Sequence, residues 1–289
     1  MSHVYVLFNP LSGNRSAQSG ENLIKGHFSD AEVHCHDITT VSDYREFFNK
    51  LDRNDALVIC GGDGTLNRFI NDTLNIDMQN PIYYYPTGSG NDFLRDLDKT
   101  AEDGPVQINA YIRNLPCIDV NGKTYRFLNG IGYGIDGYCC VVGDQVRETG
   151  KKPNYTAIAI KGLLFHYKST NATVIVDGKE YSYRRVWIAP TMHGRYYGGG
   201  MMAAPTQQRN NANGKLSLIL MHKGGRIRTL CVFPSIFKGK HIEHTKTVAF
   251  HEGTDITVKF DRPVALQIDG EVVEGVSEYR AYSKIPVKV

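Results

Sequence analysis

Long apolar runs are missing from this sequence. No segment approaches the roughly 18–20 consecutive apolar residues that a membrane-spanning helix requires. A dominant charge is missing as well: 33 Lys and Arg stand against 30 Asp and Glu, and the resulting +3 is too small to argue for a nucleic-acid partner. The six cysteines, Cys35, Cys60, Cys117, Cys139, Cys140 and Cys231, show no metal-type spacing, and the adjacent Cys139-Cys140 pair reads as packing. The first residues enter a strand without a basic region, a long apolar stretch or a cleavage site, so the expectation is a cytoplasmic protein. What remains is ordinary for a soluble globular chain, at 41% hydrophobic and 22% charged residues. A length of 289 residues favours two domains over one.

The most informative stretch is Ala56-Leu57-Val58-Ile59-Cys60-Gly61-Gly62-Asp63-Gly64-Thr65-Leu66-Asn67. A buried parallel strand is broken by three glycines in four positions. A helix follows, with Thr65 read as its N-cap and Leu66, Phe69, Ile70 and Leu74 as its apolar stripe. Strand, glycine turn and helix together bring backbone N–H groups and a positive helix end up to an anion. A carboxylate beside a polyphosphate is repulsive unless a cation lies between them, so Asp63 argues for Mg²⁺; the bland alternative is a turn whose aspartate only caps a helix. Pro86-Thr87-Gly88-Ser89-Gly90-Asn91-Asp92-Phe93 repeats the pattern with a hydroxyl, an amide and a carboxylate. A third unit, Val4 to Asn9 followed by Ser12-Gly13-Asn14-Arg15, offers another phosphate loop with Arg15 as charge partner. Strands at Val33–Asp37 and Ile82–Tyr85 and a helix at Ser42–Leu51, capped by Ser42, complete an alternating β/α pattern. Such a pattern predicts a parallel sheet with its ligand site at the strand carboxyl ends.

Past about residue 115 the pattern changes to short strands with tight turns at Asn121-Gly122 and Asp177-Gly178. Further strands are expected at Leu216–Met221, Asp255–Phe260 and Val264–Ile268. The one clear helix is expected near Asn154–Tyr167, and Phe127–Asp136 reads as a glycine-rich strand bend. Ile268-Asp269-Gly270-Glu271 places two carboxylates around a glycine turn, where one can hold geometry or metal and the other accept a proton; Asp-Gly is also the commonest hairpin signal.

Gly61-Gly62-Asp63-Gly64-Thr65 resembles the signature shared by diacylglycerol, sphingosine and NAD kinases and phosphofructokinases. The second motif resembles the P-x-G-T-x-N-D-F segment of the diacylglycerol-kinase catalytic family, with Ser89 in place of threonine. Phe127–Gly134 is similar to that family's F-x-N-x-x-G-x-G, and Asp269-Gly270-Glu271 to its late D-G-E. The resemblance implies a Rossmann-like three-layer α/β domain of the NAD-kinase/phosphofructokinase type over 1–115, with a role for residues near 282–289 left open. An antiparallel β-sandwich follows over 116–281. It implies ATP and Mg²⁺ as cofactors and a lipid alcohol, diacylglycerol-like, as acceptor. Nucleotide contacts then fall to Asn9, Ser12, Gly13, one of Thr39 and Thr40 (with Thr40 carried forward), Gly61, Gly62, Asp63, Gly64, Thr65, Asn67, Gly88, Ser89, Asn91 and Asp92. A water-mediated metal network falls to Asp63, Asp92 and Asp119. The general base becomes Glu271, supported by Asp269.

Three departures from the family pattern stand out, of which Leu94, in place of a usual small residue, is expected to change only packing. Arg68 replaces the family's usual glutamate and is a candidate phosphate partner, and Asn213 replaces an aspartate that holds a structural magnesium in some members. Lys238, Lys240, His241, Arg226 and Arg228 are candidates for contact with an anionic membrane surface at the inner face. A homodimer is left open. The competing readings are an NAD kinase-like phosphotransferase and a catalytically silent nucleotide- or lipid-binding regulator.

Overall fold

The structure is a computed structural model that describes residues 3–10, 24–88 and 90–283. Ser12, Gly13, Arg15 and Ser89 therefore lie outside the described residues, as do 284–289. The chain divides into two compact units between Asn114 and Leu115.

In the first unit β1 (His3–Phe8), β2 (Glu32–Asp37), β3 (Ala56–Gly61), β4 (Ile82–Pro86) and β5 (Val106–Gln107) form one sheet in the order β2-β1-β3-β4-β5. The first four strands run parallel, and the short β5 pairs antiparallel with β4. β3 is buried along its whole length, as a central strand covered on both faces must be. Parallel pairing gathers residues at or just past the strand ends, Asn9, Thr40, Gly61 and Gly88, at a single edge.

Two expected helix starts are corrected. The helix after β3 spans Asp63–Asp72 with Gly62 as its N-cap, and Thr65 is its third residue rather than its cap. The helix begins at once where the strand ends, which leaves no room for a cap three residues later. Leu66, Phe69 and Ile70 form the buried stripe, and Leu74 falls beyond the last turn. The earlier helix is shorter than expected, Tyr44–Asn49. It is capped by Asp43, whose carboxylate accepts from the N–H groups of Arg45 and Glu46 at 2.7 and 3.1 Å.

The second unit is built on antiparallel strands. These are β6 (Cys117–Val120), β7 (Lys123–Arg126), β8 (Gly130–Tyr133), β9 (Thr170–Val176), β10 (Lys179–Val186), β11 (Thr191–Met192), β12 (Leu216–Met221), β13 (Val248–Gly253), β14 (Asp255–Ile268) and β15 (Glu271–Tyr282). Their order is β13-β12-β11-β8-β14-β15-β6-β7, with β9 joining through β14 and β10 through β9. The expected strands at 255–260 and 264–268 are one strand that changes partner midway. Ile256–Phe260 pairs with β9 and Leu266–Ile268 with β8. Pro263 lies in the register shift between, where its missing N–H costs no ladder bond. A strand shared between two leaves makes the sheet sandwich-like, with Ile118, Phe127, Tyr133, Val174, Leu218, Val258 and Leu266 among its core. Tyr282 closes β15 against Asp255 and Cys117 of this same unit.

The helix expected near Asn154–Tyr167 is found as Tyr155–Lys161 with a π turn over Gly162–His166. Two further α-helices go against expectation, Arg226–Val232 and the 14-residue Ile135–Glu148. The latter's own glycines, Gly137 and Gly143, are contact positions. A Cβ on Gly137 would lie 2.0 Å from the Ala265 carbonyl oxygen, and one on Gly143 would lie 2.6 Å from the Tyr155 ring. The helix crosses β14 too closely for any side chain there.

Candidate functional site

The two glycine turns of the first unit are built against each other. A Cβ on Gly88 would lie 2.5 Å from the Gly62 Cα, so the backbones touch with no side chain between them. The Gly61 carbonyl accepts from Thr87 N–H at 2.9 Å, from Gly88 N–H at 3.3 Å and from the Tyr84 hydroxyl at 3.0 Å. Asn9 anchors the end of β1: its N–H donates to the Cys60 carbonyl at 3.1 Å and its side chain to the Thr65 hydroxyl at 2.9 Å.

Asp63 links the two motifs through its carboxylate. One oxygen accepts from Asp92 N–H at 2.9 Å and the other from Phe93 N–H at 3.0 Å. The aspartate of the first turn thus caps the helix Asp92–Asp96 that the second turn feeds. Asp92 is 4% exposed and lies 3.8 Å from the Arg95 guanidinium. Burial, with Asp63 adding to it, keeps the Tyr84 phenol protonated well above its usual range. Asn91 takes the left-handed conformation at φ 49°, and its Oδ1 is buried with no hydrogen-bond partner among the described residues. Carboxylate and amide oxygens are the donors Mg²⁺ prefers, so the oxygens gathered here fit a magnesium–nucleotide.

The remaining predicted residues of this unit are less central. Asn67 is 5% exposed and bound to the Asn71 side chain on its own helix. The Thr40 hydroxyl donates to the Asp37 carbonyl at 2.8 Å. Arg68 is exposed; one turn along its helix, burial raises the pKa of Asp72, and the Arg68 charge opposes that rise only in part.

In the second unit Asp269-Gly270 is the two-residue turn joining β14 to β15, with φ values of 48° and 99°. The Asp269 carboxylate accepts three consecutive backbone N–H groups, from Leu128, Asn129 and Gly130, the last two at 2.7 and 2.9 Å. It is 8% exposed and acts as a positioning group that pins the turn to the entry of β8. Glu271 begins β15 directly after this turn and is exposed. Asp119 lies on β6, where its carboxylate accepts from the Thr124 hydroxyl at 2.6 Å and the Tyr282 hydroxyl at 3.4 Å.

Three residues here escape sequence reasoning. Arg209, 7% exposed, donates to the Leu128 carbonyl and to Asn129 Oδ1, the latter at 2.8 Å. His193, 8% exposed, lies 3.1 Å from the same Leu128 carbonyl through Nδ1. The 128–130 segment is thus held by an aspartate at its N–H groups and an arginine at its oxygens. Asp136, in the first turn of the Ile135–Glu148 helix, is 7% exposed and accepts from the Tyr197 hydroxyl at 2.9 Å. Burial pushes its carboxyl up to about 7. Nothing in a lone Arg, His or Asp of mixed polar sequence marks it as buried. Cys139 and Cys140 pack beside Asp136 with their thiol pKa values raised by burial, which suits a packing role.

Two family models match the chain: the diacylglycerol kinase catalytic domain over residues 3–116, and the YegS C-terminal NAD kinase beta sandwich-like domain over residues 129–282. The chain belongs to the family of the YegS C-terminal domain, which matches more than half of it, and its first part matches the diacylglycerol kinase catalytic domain. This family member is 23% identical to the Bacillus subtilis protein named "Putative lipid kinase YtlR", across 100% of this chain and 99% of that one. It is 27% identical to the Staphylococcus aureus (strain N315) protein named "Putative lipid kinase SA0681", over 75% of this chain and 71% of the other. A solved structure from Bacillus anthracis str. Sterne, titled as a "putative diacylglycerol kinase", superposes with a TM-score of 0.70 at 17% identity, covering 98% of this chain and 92% of that chain. Yeast NADH kinase complexed with NADH superposes at 0.52 with 13% identity, covering 99% and 79%. At such identities these structures establish the fold: an α/β unit followed by a sandwich-like antiparallel unit, as the motifs led one to expect.

Proposed function

We propose that this lipid-kinase-family chain transfers the γ-phosphoryl group of ATP to the hydroxyl of a lipid alcohol, diacylglycerol-like in class. The supporting observation is the pair of glycine turns locked by the Asp63 carboxylate on the Asp92 and Phe93 amides. This arrangement fixes two helix starts and exposes backbone at one sheet edge, which suits close approach of phosphate oxygens. Asp63, Asp92 and the Asn91 amide oxygen are the groups that would hold Mg²⁺ with the nucleotide. When bound, the ion offsets the charge on the phosphates. Glu271 takes the proton of the attacking hydroxyl, and Asp269 fixes the turn that presents Glu271.

The acceptor being a lipid, the second unit is proposed to touch an anionic membrane surface. Phe165 and Ile227 are 71% and 76% exposed. The segments carrying them are joined by the Arg226 guanidinium on the Leu163 carbonyl at 2.6 Å, with Arg228 and Lys161 exposed alongside. An Ile227→Asp variant is expected to sediment less with anionic vesicles than the parent chain; equal sedimentation would remove this part of the reading.

The function is tested by Mg²⁺-dependent transfer of label from γ-³²P-ATP in mixed micelles of total lipid extract, with NAD⁺ in a parallel tube. A labelled lipid supports the proposal. Label on NAD⁺ alone would move the chain to nucleotide phosphorylation, and intact ATP binding without transfer would make it a silent binding protein.

A further inference from the structure

The outer face of the β1–β2 pair carries an arrangement unrelated to phosphoryl transfer. Parallel register sets His3 beside Glu32 and Tyr5 beside His34. Strand alternation then puts His3, Glu32 and His34 on one face while Val4 and Val6 are buried on the other. His3 Nδ1 is 3.1 Å from His34 Nε2 and 3.5 Å from a Glu32 carboxylate oxygen, and the other Glu32 oxygen is 3.8 Å from His34 Nε2. Ligand atoms bound tetrahedrally at about 2.1 Å from Zn²⁺ are separated by about 3.4 Å, so the donors already stand at the spacing one ion would impose.

Supporting contacts hold the rings in place. Tyr5 stacks on His34 with centroids 5.1 Å apart and 25° between planes, and the His3 and His34 rings are 5.2 Å apart. The His3 and His34 side chains are 37% and 33% exposed and Glu32 is 67% exposed, which leaves an entry path and an open fourth position for water. A cation bound between the two facing ring nitrogens takes the place of their mutual hydrogen bond, and each imidazole then carries its N–H on the nitrogen that faces away from the ion.

We propose that His3, Glu32 and His34 form a binding site for one divalent cation of the zinc class, clipping β1 to the edge strand β2. Two imidazoles favour Zn²⁺, Co²⁺ or Ni²⁺ over the Mg²⁺ that phosphoryl transfer uses. His3 and Glu32 begin their strands, so the site lies at the sheet edge opposite the glycine turns. Its failure would leave the kinase reading untouched.

The test uses the tag-free full chain, stripped of metal by a chelator and titrated with Co²⁺, with Zn²⁺ as competitor. The expected result is one ion per chain with the visible bands of four-coordinate Co²⁺, displaced by Zn²⁺. Binding should weaken at least about tenfold in both His34→Ala and Glu32→Gln, because even outer-shell changes at such sites cost about 10–100-fold. Cys35→Ser, on the opposite face of β2, should bind as the parent does. Parent affinity equal to that of His34→Ala, or binding lost in Cys35→Ser, would overturn the assignment. Circular dichroism of each variant separates lost ligand from lost fold.

Discussion

Asp63 in the first unit and Asp269 in the second are both aspartates at glycine turns, and both have carboxylates that accept consecutive backbone N–H groups. Asp63 accepts two, from the start of a short helix, and Asp269 accepts three, from the entry to a strand. The surroundings differ. Around Asp63 the glycines press backbone on backbone. Around Asp269 the glycine supplies only a positive φ, and the product of the turn is the side chain that follows it, Glu271. On the proposed reading the first turn is itself the binding surface, while the second presents the proton acceptor. Asp136 marks the limit of the comparison, because it is a buried carboxyl that accepts from one hydroxyl and, among the described residues, from no backbone N–H.

The largest expected effect concerns that contrast. The carboxyl of Asp136 is raised to about 7 when folded, against an ordinary 3.8, so the stability gained from its protonated form is complete below about pH 4 and is lost as pH rises through 7. About three units correspond to roughly 4 kcal/mol as an upper bound. Asp136→Asn keeps an acceptor for Tyr197 and should remove this slope, making the variant more stable than the parent at pH 8 in urea unfolding. A parent-like slope in the variant would contradict the assignment.

Asp269→Asn should cost about 3 kcal/mol, since an amide cannot accept at both ends from three buried donors. Gly88→Ala should cost about 2 kcal/mol with weakened nucleotide binding, because its Cβ meets backbone at 2.5 Å. Gly270→Ala meets nothing within 4 Å and should cost only about 1 kcal/mol, from its φ of 99°. Equal losses at the two glycines would break the distinction between crowding and conformation; thermal unfolding with and without nucleotide measures both.

The α/β order, the glycine turns at Gly61 and Gly88 and the hairpins at Asn121-Gly122, Asp177-Gly178 and Asp269-Gly270 were legible because glycine and strand periodicity act locally. The Ile135–Glu148 helix was not, because its glycines answer to β14 and Tyr155, which are distant in sequence. Asp63 was read as a metal or cap residue of its own turn. Its bonds to Asp92 and Phe93 depend on two turns meeting across a sheet edge. Arg209 and His193 were illegible for the same reason: their value lies in carbonyls more than 60 residues away.

The most direct test of the account separates Glu271 from the turn that carries it. Glu271 is exposed, so Glu271→Gln should alter stability by less than about 1 kcal/mol and leave nucleotide affinity unchanged. Its rate of γ-phosphoryl transfer to lipid should fall by about 10²–10⁴. Parent-like turnover in that variant would contradict the central claim that Glu271 is the base.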